Sequence, residues 1–216
     1  MLHKQTVAKG TLDLIREMIS DKVFKHFNLV GGTALSLQIG HRISEDIDLF
    51  SNSPLDALKI AGYLKEKYKA ENVRTLKNGV FCFIGDIKVD LISHQYPLVK
   101  PLVFNEGVRM VSLEDIGAMK LNVITGNGTR FKDFVDMYAL LEHLPLKQML
   151  MAYEDKYPGV SRHIAVKALN YHQDMQPATI HFTGTPVIKE KIIQRMYEAT
   201  LEPARIFDNT FLSSSS

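Results

Sequence analysis

Residues 29–50 constrain the fold more than any other part of the chain. An apolar run ending at Val30 is followed by the glycine pair Gly31-Gly32, a short helical segment that ends at Gly40, a basic loop and an acidic strand. We expect Thr33 to cap the helix, because threonine is a favoured capping residue and the apolar positions that follow lie four residues apart. The pattern predicts a strand, a glycine turn, a helix and a second strand.

The two halves of this stretch suit different parts of a nucleotide. The glycine turn favours an anion such as phosphate, because glycine lets the backbone approach closely and the helix start carries partial positive charge. On the second strand, Asp46 and Asp48 share one face, since alternate side chains point the same way. Hard oxygen ligands at this spacing suit Mg²⁺ or Mn²⁺. An Asp-x-Asp tripeptide alone more often ends a strand and enters a turn, but the upstream glycine turn favours a nucleotide site.

A third carboxylate lies on a later strand. Residues 72–76 and 80–84 predict a hairpin with Asn78-Gly79 in its turn, and residues 87–92 then alternate between apolar and polar. Lys88 and Asp90 share the polar face of that strand. A lone aspartate in such a strand is more often an edge feature than a ligand. Consecutive strands usually lie side by side, however, so we expect Asp90 to stand beside Asp46 and Asp48.

Two helices in the second half carry further charged residues. Ser112 starts one with a capping box, and Lys120 lies within it. The next helix carries Lys132, Asp133 and Asp136 on one stripe, because steps of three and four residues bring side chains together. Taken alone, the second set is more simply a surface ion pair, which stabilises a helix by only about 0.2–0.5 kcal/mol.

The motifs together resemble the AbiEii/AbiGii toxin family, minimal nucleotidyltransferases related to DNA polymerase β. The resemblance covers residues 29–141. It is carried by Gly31-Gly32-Thr33-Ala34-Leu35, His41-Arg42-x-Ser44-x-Asp46-Ile47-Asp48-Leu49-Phe50, Leu113-Glu114-Asp115-Ile116-x-Ala118-x-Lys120-Leu121 and Lys132-Asp133-x-x-Asp136. The turn is usually Gly-Ser in the wider superfamily and is Gly-Gly here, which removes a hydroxyl from the phosphate site.

This resemblance implies a site and a set of partners. Asp46, Asp48 and Asp90 are implied as ligands of Mg²⁺ or Mn²⁺, with Lys120, Lys132, Asp133 and Asp136 as further catalytic residues. An NTP is implied to contact Gly31, Gly32, Thr33, Arg42, Ser44, Lys88, Lys120 and Lys132. The resemblance also implies an acceptor such as the 3′ end of a tRNA, and an antitoxin protein as a partner.

The whole chain limits the fold and the compartment. Its 216 residues are long enough for a sizeable core, and 45% hydrophobic with 23% charged residues is an ordinary soluble composition. We expect an α+β fold, with a small mixed β-sheet nucleotidyltransferase core in residues 1–110 and a helical domain in residues 111–216 that completes the active-site cleft. A single cysteine, Cys82, excludes an internal disulfide framework. The sequence predicts a cytoplasmic protein with no membrane segment.

Two classes of function remain open from the sequence. The first is a metal-dependent nucleotidyltransferase that transfers NMP from an NTP to an acceptor hydroxyl and acts as the toxin of a toxin–antitoxin or phage-defence system. The second is a non-catalytic nucleotide-binding or protein-interaction module with the same fold. The complete set of Asp46, Asp48 and Asp90 favours the enzyme, since a decayed site is expected to lose a carboxylate.

Overall fold

One mixed sheet contains the seven named strands of residues 1–208, the part of the chain that the computed structural model describes. Its spatial order is β3-β4-β5-β2-β1-β7-β6. The strands are β1 (Asn28–Val30), β2 (Ile47–Ser51), β3 (Glu71–Leu76), β4 (Gly79–Ile84), β5 (Ile87–Ser93), β6 (Val103–Asn105) and β7 (Val108–Met110). The predicted α+β class is confirmed.

The chain divides into two units, each with its own core. Unit 1 comprises residues 1–38, 44–97 and 102–111 and contains the sheet; unit 2 comprises residues 39–43, 98–101 and the chain from 112 onward. The predicted domain boundary near residue 110 stays a prediction. The helices are α1 (Thr11–Ser20), α2 (Gly31–Ile39), α3 (Ala57–Tyr68), α4 (Leu113–Gly126), α5 (Phe131–Leu140), α6 (Leu146–Lys156), α7 (Arg162–Leu169) and α8 (Lys189–Leu201), with short 3-10 helices at Lys4–Thr6 and Lys22–Phe24.

Two central strands of the sheet bury one face each and leave the other partly open. On β2, Ile47 and Leu49 are fully buried, and on β5 so are Val89 and Leu91. β2 and β5 run parallel, with Ile47 opposite Val89 and Leu49 opposite Leu91. These four side chains form one apolar layer, so the residues between them must point to the other face of the sheet.

The predicted hairpin and the strand after it are confirmed, whereas one strand was missed. β3 and β4 pair antiparallel across a turn at Lys77-Asn78, and β4 then pairs with β5. Two prolines and little periodicity in residues 93–110 predict a crossing loop into the strand near Val108, but β6 forms there and pairs with β7. Its turn uses Glu106 and Gly107, both at positive φ, which is the geometry of a tight hairpin without the Asn-Gly signature.

Two helix predictions need correction at their ends. Apolar residues at three- and four-residue steps predict one amphipathic helix over residues 7–26, but the helix is only Thr11–Ser20, because Asp21 is extended and its side chain accepts from Val23 N to start a separate 3-10 turn. The short helix begins at Gly31, so Thr33 lies in its first turn instead of capping it. Thr33 is fully buried, and its hydroxyl donates to the carbonyl oxygen of Asp46.

Unit 2 is built from packed helices that match the predicted helical half. Side chains of α4, α5 and α6, among them Leu121, Phe134 and Met149, are fully buried. Gly117 allows α4 to approach α6 closely: a Cβ at this position would lie 2.7 Å from Met149 Cγ. The serine tail predicted at residues 213–216 lies outside the described residues. Between residues 1 and 208, no helix combines the length and the apolar character that crossing a bilayer requires.

Candidate active site

Two of the predicted carboxylates stand side by side in unit 1. Asp48 on β2 and Asp90 on β5 are direct partners in the parallel ladder, so their side chains emerge on the same face, about 5 Å apart at the backbone. Asp46 immediately precedes β2 and is exposed, whereas Asp90 is 9% exposed. We call Asp46, Asp48, Asp90 and their neighbour Lys88 the acidic face. The structure therefore brings Asp48 and Asp90 together, and the predicted place of Asp46 beside them stays a prediction.

The glycine turn lies directly against the acidic face. Val30 pairs with Asp48, and Gly31 follows it at a φ of +71°, a conformation that L side chains rarely adopt. A Cβ at Gly31 would overlap Asp48 Oδ2 and lie 3.2 Å from Asp48 Cγ. Gly31 is therefore required both for its backbone conformation and for the space that Asp48 occupies. Gly32 follows in the first turn of α2 and is half-buried.

Lys88 is the cation of the acidic face. Its Nζ lies 2.5 Å from Asp90 Oδ2, and its side chain is 42% exposed. Partial burial on its own would lower the pKa of Lys88, but the hydrogen bond to Asp90 and the charges of Asp90, Asp46 and Asp48 raise it. Three carboxylates against one ammonium leave a formal charge of −2 on this face. The site therefore has an excess of negative charge that a further cation would neutralise.

The donor atoms of the acidic face fit a divalent cation. Asp90 Oδ1 is buried and has no hydrogen-bond partner among the described residues. A buried carboxylate oxygen without a partner is costly, and hard oxygen ligands are those that Mg²⁺ prefers. Within residues 1–208, however, no three or more His, Cys, Asp and Glu side chains form a group close enough to hold a metal. Metal ligation by Asp46, Asp48 and Asp90 therefore stays a prediction, supported by their chemistry and strand positions.

Thr33 and Ser44 hold the backbone that leads into the acidic face. Ser44 Oγ lies 2.9 Å from Thr33 Oγ1, and Ser44 N donates to Thr6 O at 2.8 Å. Both hydroxyl residues are buried, and the Thr33 hydroxyl also reaches the carbonyl of Asp46. They fix the start of β2, and with it the position of Asp46. Their predicted nucleotide contacts stay predictions.

Several of the remaining predicted site residues take part in a network of buried charges in unit 2. Asp136 is fully buried and accepts from Arg42 Nε at 2.7 Å, from Arg42 Nη2 at 3.0 Å and from His41 Nε2 at 2.8 Å. Lys120 Nζ lies 2.5 Å from Asp136 Oδ2 and 2.7 Å from Asp133 Oδ1. We call His41, Arg42, Lys120, Asp133 and Asp136 the buried charge network. Both of its permanent cations are paired with carboxylates.

The pKa shifts in this network follow from burial and pairing. Burial alone would raise the pKa of Asp136, but Arg42 and Lys120 hold it well below its usual range. Burial alone would lower the pKa of Lys120, and Asp136 and Asp133 raise it. Burial lowers the pKa of His41 in spite of Asp136. The network therefore holds a neutral histidine near pH 7, with two cations balanced by two carboxylates.

Lys132 differs from its neighbours on α5. It is exposed, whereas Asp133 and Asp136 are 2% and 0% exposed. None of the described residues forms an ion pair with Lys132, so the surface pair with Asp136 that the sequence offered as an alternative does not form. The nucleotide contacts predicted for Lys132, Lys120 and Arg42 are untested by this arrangement and stay predictions.

The sequence reasoning missed His41 as a member of the charged group. Its side chain is 1% exposed and lies against Asp136, 95 residues away in the chain. The only available signal was its place beside Arg42 within the quoted motif.

A second buried pair, Lys156 Nζ to Asp115 Oδ1 at 2.7 Å, was also missed. Asp115 further accepts hydrogen bonds from the backbone N–H groups of Val99 and Lys100. This pair anchors residues 98–101 to α4.

Unit 2 also contains a cavity of about 1030 Å³ that holds none of the predicted site residues. Its apolar part includes Leu150 and Val166, and its rim includes Arg162 and Arg205. Arg162 is paired with Glu154, and Arg205 lies 3.3 Å from Glu198. Both guanidinium groups therefore already have carboxylate partners.

Comparison with known proteins gives a family match over most of the chain. The family model described as "Nucleotidyl transferase AbiEii toxin, Type IV TA system" matches residues 13–211. An uncharacterised protein of Aquifex aeolicus is 29% identical over 172 residues, which cover 77% of this chain and 83% of that protein. The resemblance seen in the motifs is thereby confirmed at the level of the family.

Two solved structures resemble the fold. The antibiotic-resistance factor ANT(2'')-Ia is 17% identical and has a TM-score of 0.51, covering 66% of this chain and 88% of its own. An antigenic nucleotidyltransferase-like protein from Paracoccidioides brasiliensis is 14% identical and has a TM-score of 0.49, covering 93% and 95%. At such identities a likeness concerns the fold alone. The structure of the antibiotic-resistance factor, with its TM-score of 0.51, supports the nucleotidyltransferase fold.

Proposed function

This chain belongs to the AbiEii family of nucleotidyltransferase toxins, and from that membership we propose that it is a Mg²⁺- or Mn²⁺-dependent enzyme that transfers NMP from an NTP to an acceptor hydroxyl. The observation that carries the proposal is the parallel pairing of Asp48 with Asp90 beside the Gly31 turn. A phosphate cradle and a pair of carboxylates on one sheet face are the parts that phosphoryl-type transfer needs.

In this proposal the glycine turn, the three carboxylates and Lys88 have different roles. The Gly31-Gly32 turn binds the phosphates of the NTP through backbone N–H groups, and Asp46, Asp48 and Asp90 hold the divalent cation. That cation would neutralise the charge of the phosphates and lower the pKa of the acceptor hydroxyl. Lys88 neutralises Asp90 and stands beside the phosphates as a further positive charge. The products are an NMP-acceptor and pyrophosphate.

The biological role follows from the family, and its details are part of the proposal. The chain acts as the toxin of a toxin–antitoxin or phage-defence pair, and an antitoxin protein is its partner. The acceptor is the 3′ end of a tRNA. The complete set of Asp46, Asp48 and Asp90 supports an enzyme over a non-catalytic module, because a decayed site is expected to lose a carboxylate.

Pyrophosphate release tests the proposal directly. The purified protein is incubated with Mg²⁺ or Mn²⁺, with each NTP in turn and with total tRNA, and labelled NMP on the RNA is measured in parallel. We expect release with at least one NTP, and none in EDTA. The Asp90→Asn variant should be inactive, whereas Asp86→Asn, which changes an exposed aspartate in the turn before β5, should keep wild-type activity.

The same experiment distinguishes the non-catalytic module. Such a module would bind an NTP without releasing pyrophosphate under any of these conditions. It would also bind equally well in EDTA and in Mg²⁺, because its affinity would not depend on a cation between the carboxylates and the phosphates. Binding of that kind, with no turnover, would refute the enzyme.

A further inference from the structure

Two phenylalanine side chains of β4 continue the acidic face across the sheet of unit 1. Phe81 is the direct partner of Asp90 in the antiparallel β4–β5 ladder, and Phe83 is the partner of Lys88. Directly opposite residues of two paired strands point to the same face of a sheet, so both rings stand on the face that carries the carboxylates. Cys82, between them, is buried on the other face. We call Phe81 and Phe83 the phenylalanine pair.

The phenylalanine pair is accessible although β4 is an inner strand. Phe83 is 39% exposed, and Phe81 is half-buried. A Cβ at Gly79 would lie 3.0 Å from Phe81 Cε2 and Cζ, so the glycine leaves room for the Phe81 ring to lie along the sheet. No aromatic ring or cationic group within residues 1–208 stacks on either ring. The pair therefore offers an aromatic surface beside the carboxylates.

An arginine stands next to the phenylalanine pair, at the edge of the sheet. β3 is the edge strand, and Arg74 on it is the direct partner of Phe81. Arg74 is exposed, and no carboxylate of the described residues pairs with it. One row across the sheet therefore contains Asp48, Asp90, Phe81 and Arg74. Since neighbouring strands are about 4.8 Å apart, the Cα atoms of Asp90 and Arg74 are about 10 Å apart.

The glycine turn lies on the other side of the carboxylates. The strand order in this part of the sheet is β3-β4-β5-β2-β1, and Gly31 directly follows β1. Across the sheet from the turn, the order is thus Asp48 on β2, Asp90 on β5 and Phe81 on β4. A triphosphate that is bound at the turn and at the carboxylates leaves the phenylalanine pair and Arg74 to another part of a substrate.

Arg74 distinguishes the two nucleobases that the proposed reaction brings to this face. An NTP has one nucleobase and no phosphate beyond it, so an arginine on the far side of that base would have no phosphate to bind. A nucleic-acid acceptor has a phosphodiester next to its 3′-terminal base, and a guanidinium group binds phosphate well. Proteins bind single strands by this combination of stacked bases and a cation for the backbone. The combination favours the acceptor.

We propose that the phenylalanine pair and Arg74 bind the 3′-terminal nucleotide of a single-stranded RNA acceptor. The base stacks on the two rings, and Arg74 binds the adjacent phosphodiester. This inference rests on the proposed function and adds the residues that hold its acceptor. Stacking tolerates any base, because each has a flat π face. Glu71, the partner of Phe83 on β3, repels a phosphate at that end of the pair, which leaves the Arg74 end for the phosphodiester.

Binding of RNA in Mg²⁺ without an NTP tests this site separately from turnover. The probe is a 5′-labelled single-stranded RNA of about eight nucleotides, and its affinity for the full chain is measured by fluorescence anisotropy. The variants are Phe83→Ala, Phe83→Tyr and Arg74→Ala. Phe104→Ala and Lys59→Ala are the matched controls, because Phe104 is 71% exposed on β6, at the other edge of the sheet, and Lys59 is exposed on α3. A thermal melt of each variant confirms that it is folded.

The expected results separate the ring from the cation. Phe83→Ala should weaken RNA binding by roughly 5- to 150-fold, whereas Phe83→Tyr, which keeps the ring, and Phe104→Ala should stay within about twofold of the unsubstituted chain. Arg74→Ala should reduce the slope of log affinity against log salt concentration by about 0.7, the share of one phosphate contact on a single strand, and Lys59→Ala should leave that slope unchanged.

Two further measurements identify the nucleotide that is bound. With an RNA whose 3′-terminal residue lacks its base, Phe83→Ala should bind as strongly as the unsubstituted chain, because the stacked group is already missing. NTP affinity in Mg²⁺ should be equal in the unsubstituted chain, Phe83→Ala and Arg74→Ala.

Three results would overturn the inference. The first is equal RNA affinity of Phe83→Ala and Phe104→Ala, and the second is an unchanged salt slope in Arg74→Ala. The third is a loss of NTP affinity in Phe83→Ala with RNA affinity unchanged, which would assign the phenylalanine pair to the base of the NTP. Absence of pyrophosphate release by the unsubstituted chain would instead refute the proposed function, and the RNA-binding comparison would still decide whether this site binds RNA.

Discussion

The acidic face of unit 1 and the buried charge network of unit 2 use the same residue types in opposite ways. In the network, Arg42 and Lys120 balance Asp133 and Asp136, and every one of these side chains is nearly or fully buried. On the acidic face, Lys88 pairs with Asp90, and among the described residues Asp90 Oδ1 has no hydrogen-bond partner, as is also true of Asp133 Oδ2 in the network.

The difference shows how stability and function separate in this chain. Charges buried without a counter-charge destabilise a fold strongly, so a network whose cations and carboxylates balance is suited to holding helices and loops together. An incompletely neutralised set on an accessible face costs stability and provides binding capacity for a cation and its ligand. The quoted motifs contain residues of both kinds, and a motif alone does not distinguish them.

The largest effect is expected from breaking the network at its centre. Asp136→Asn removes the buried carboxylate that Arg42 and Lys120 share, and we expect the free energy of unfolding to fall by about 3–5 kcal/mol. Urea denaturation followed by circular dichroism measures it. Asp155→Asn, at an exposed position of α6, should change the same quantity by less than about 0.5 kcal/mol. A loss of similar size in both variants would contradict the special role of Asp136.

On the acidic face, we expect a substitution to lower turnover without lowering stability. Asp48→Asn removes one of three clustered negative charges, so the melting temperature of the metal-free protein should hold or rise. Turnover should fall about 10²- to 10³-fold or more, because a principal electrostatic group of the reaction is lost. Pyrophosphate release and a thermal melt in EDTA measure the two quantities. Wild-type turnover in this variant would remove Asp48 from the mechanism.

Lys132 sharpens the comparison because it is exposed on the helix that carries Asp133 and Asp136. If it binds phosphate, Lys132→Ala should slow turnover by roughly 10²-fold, and Lys132→Arg should keep partial activity, since a guanidinium retains the charge but changes its shape. Stability should change by only a few tenths of a kcal/mol. Lys167→Ala, an exposed lysine on α7, serves as the control. Full activity of Lys132→Ala at saturating NTP would place Lys132 among ordinary surface residues.

The smallest effect concerns the pH dependence of the network. Burial lowers the pKa of His41 below its ordinary value near 6.5, so the unfolded chain binds a proton below that pH while the folded chain does not. The stability from His41 is therefore complete above pH ~6.5 and declines as the pH falls toward the lowered value, by at most about 1.4 kcal/mol per pH unit.

The His41→Gln variant isolates this contribution. Unfolding free energies are measured between pH 7 and pH 5 for both proteins, and the wild type should lose more stability over that range than the variant. The pKa of His172 is also lowered by burial, but His172 is present in both proteins and cancels in the difference. Equal slopes would mean that His41 binds protons alike in the folded and unfolded chains, so that burial does not lower its pKa.

The sequence determined the local elements and the chemistry of the acidic face. Alternation on β2 and β5 placed Asp48 and Asp90 on polar faces, whereas the parallel pairing of these two strands, which are not consecutive in the chain, was decided by the tertiary structure. The capping box at Ser112 and the hairpin at Lys77-Asn78 were also readable, because a few adjacent residues decide them. The family was recognisable from three motifs in one order.

Only the tertiary structure decided which charged residues are buried and with what partners. His41 and Arg42 lie 95 and 94 residues before Asp136 in the chain, and no local pattern shows that they meet it. The strand at Val103–Asn105 depended on its pairing with β7 across a Glu-Gly turn. The length of α1 depended on Asp21, whose side chain accepts hydrogen bonds from three distant donors. Periodicity in a sequence reports which face of an element is apolar, whereas the pairing of buried charges depends on how distant segments pack.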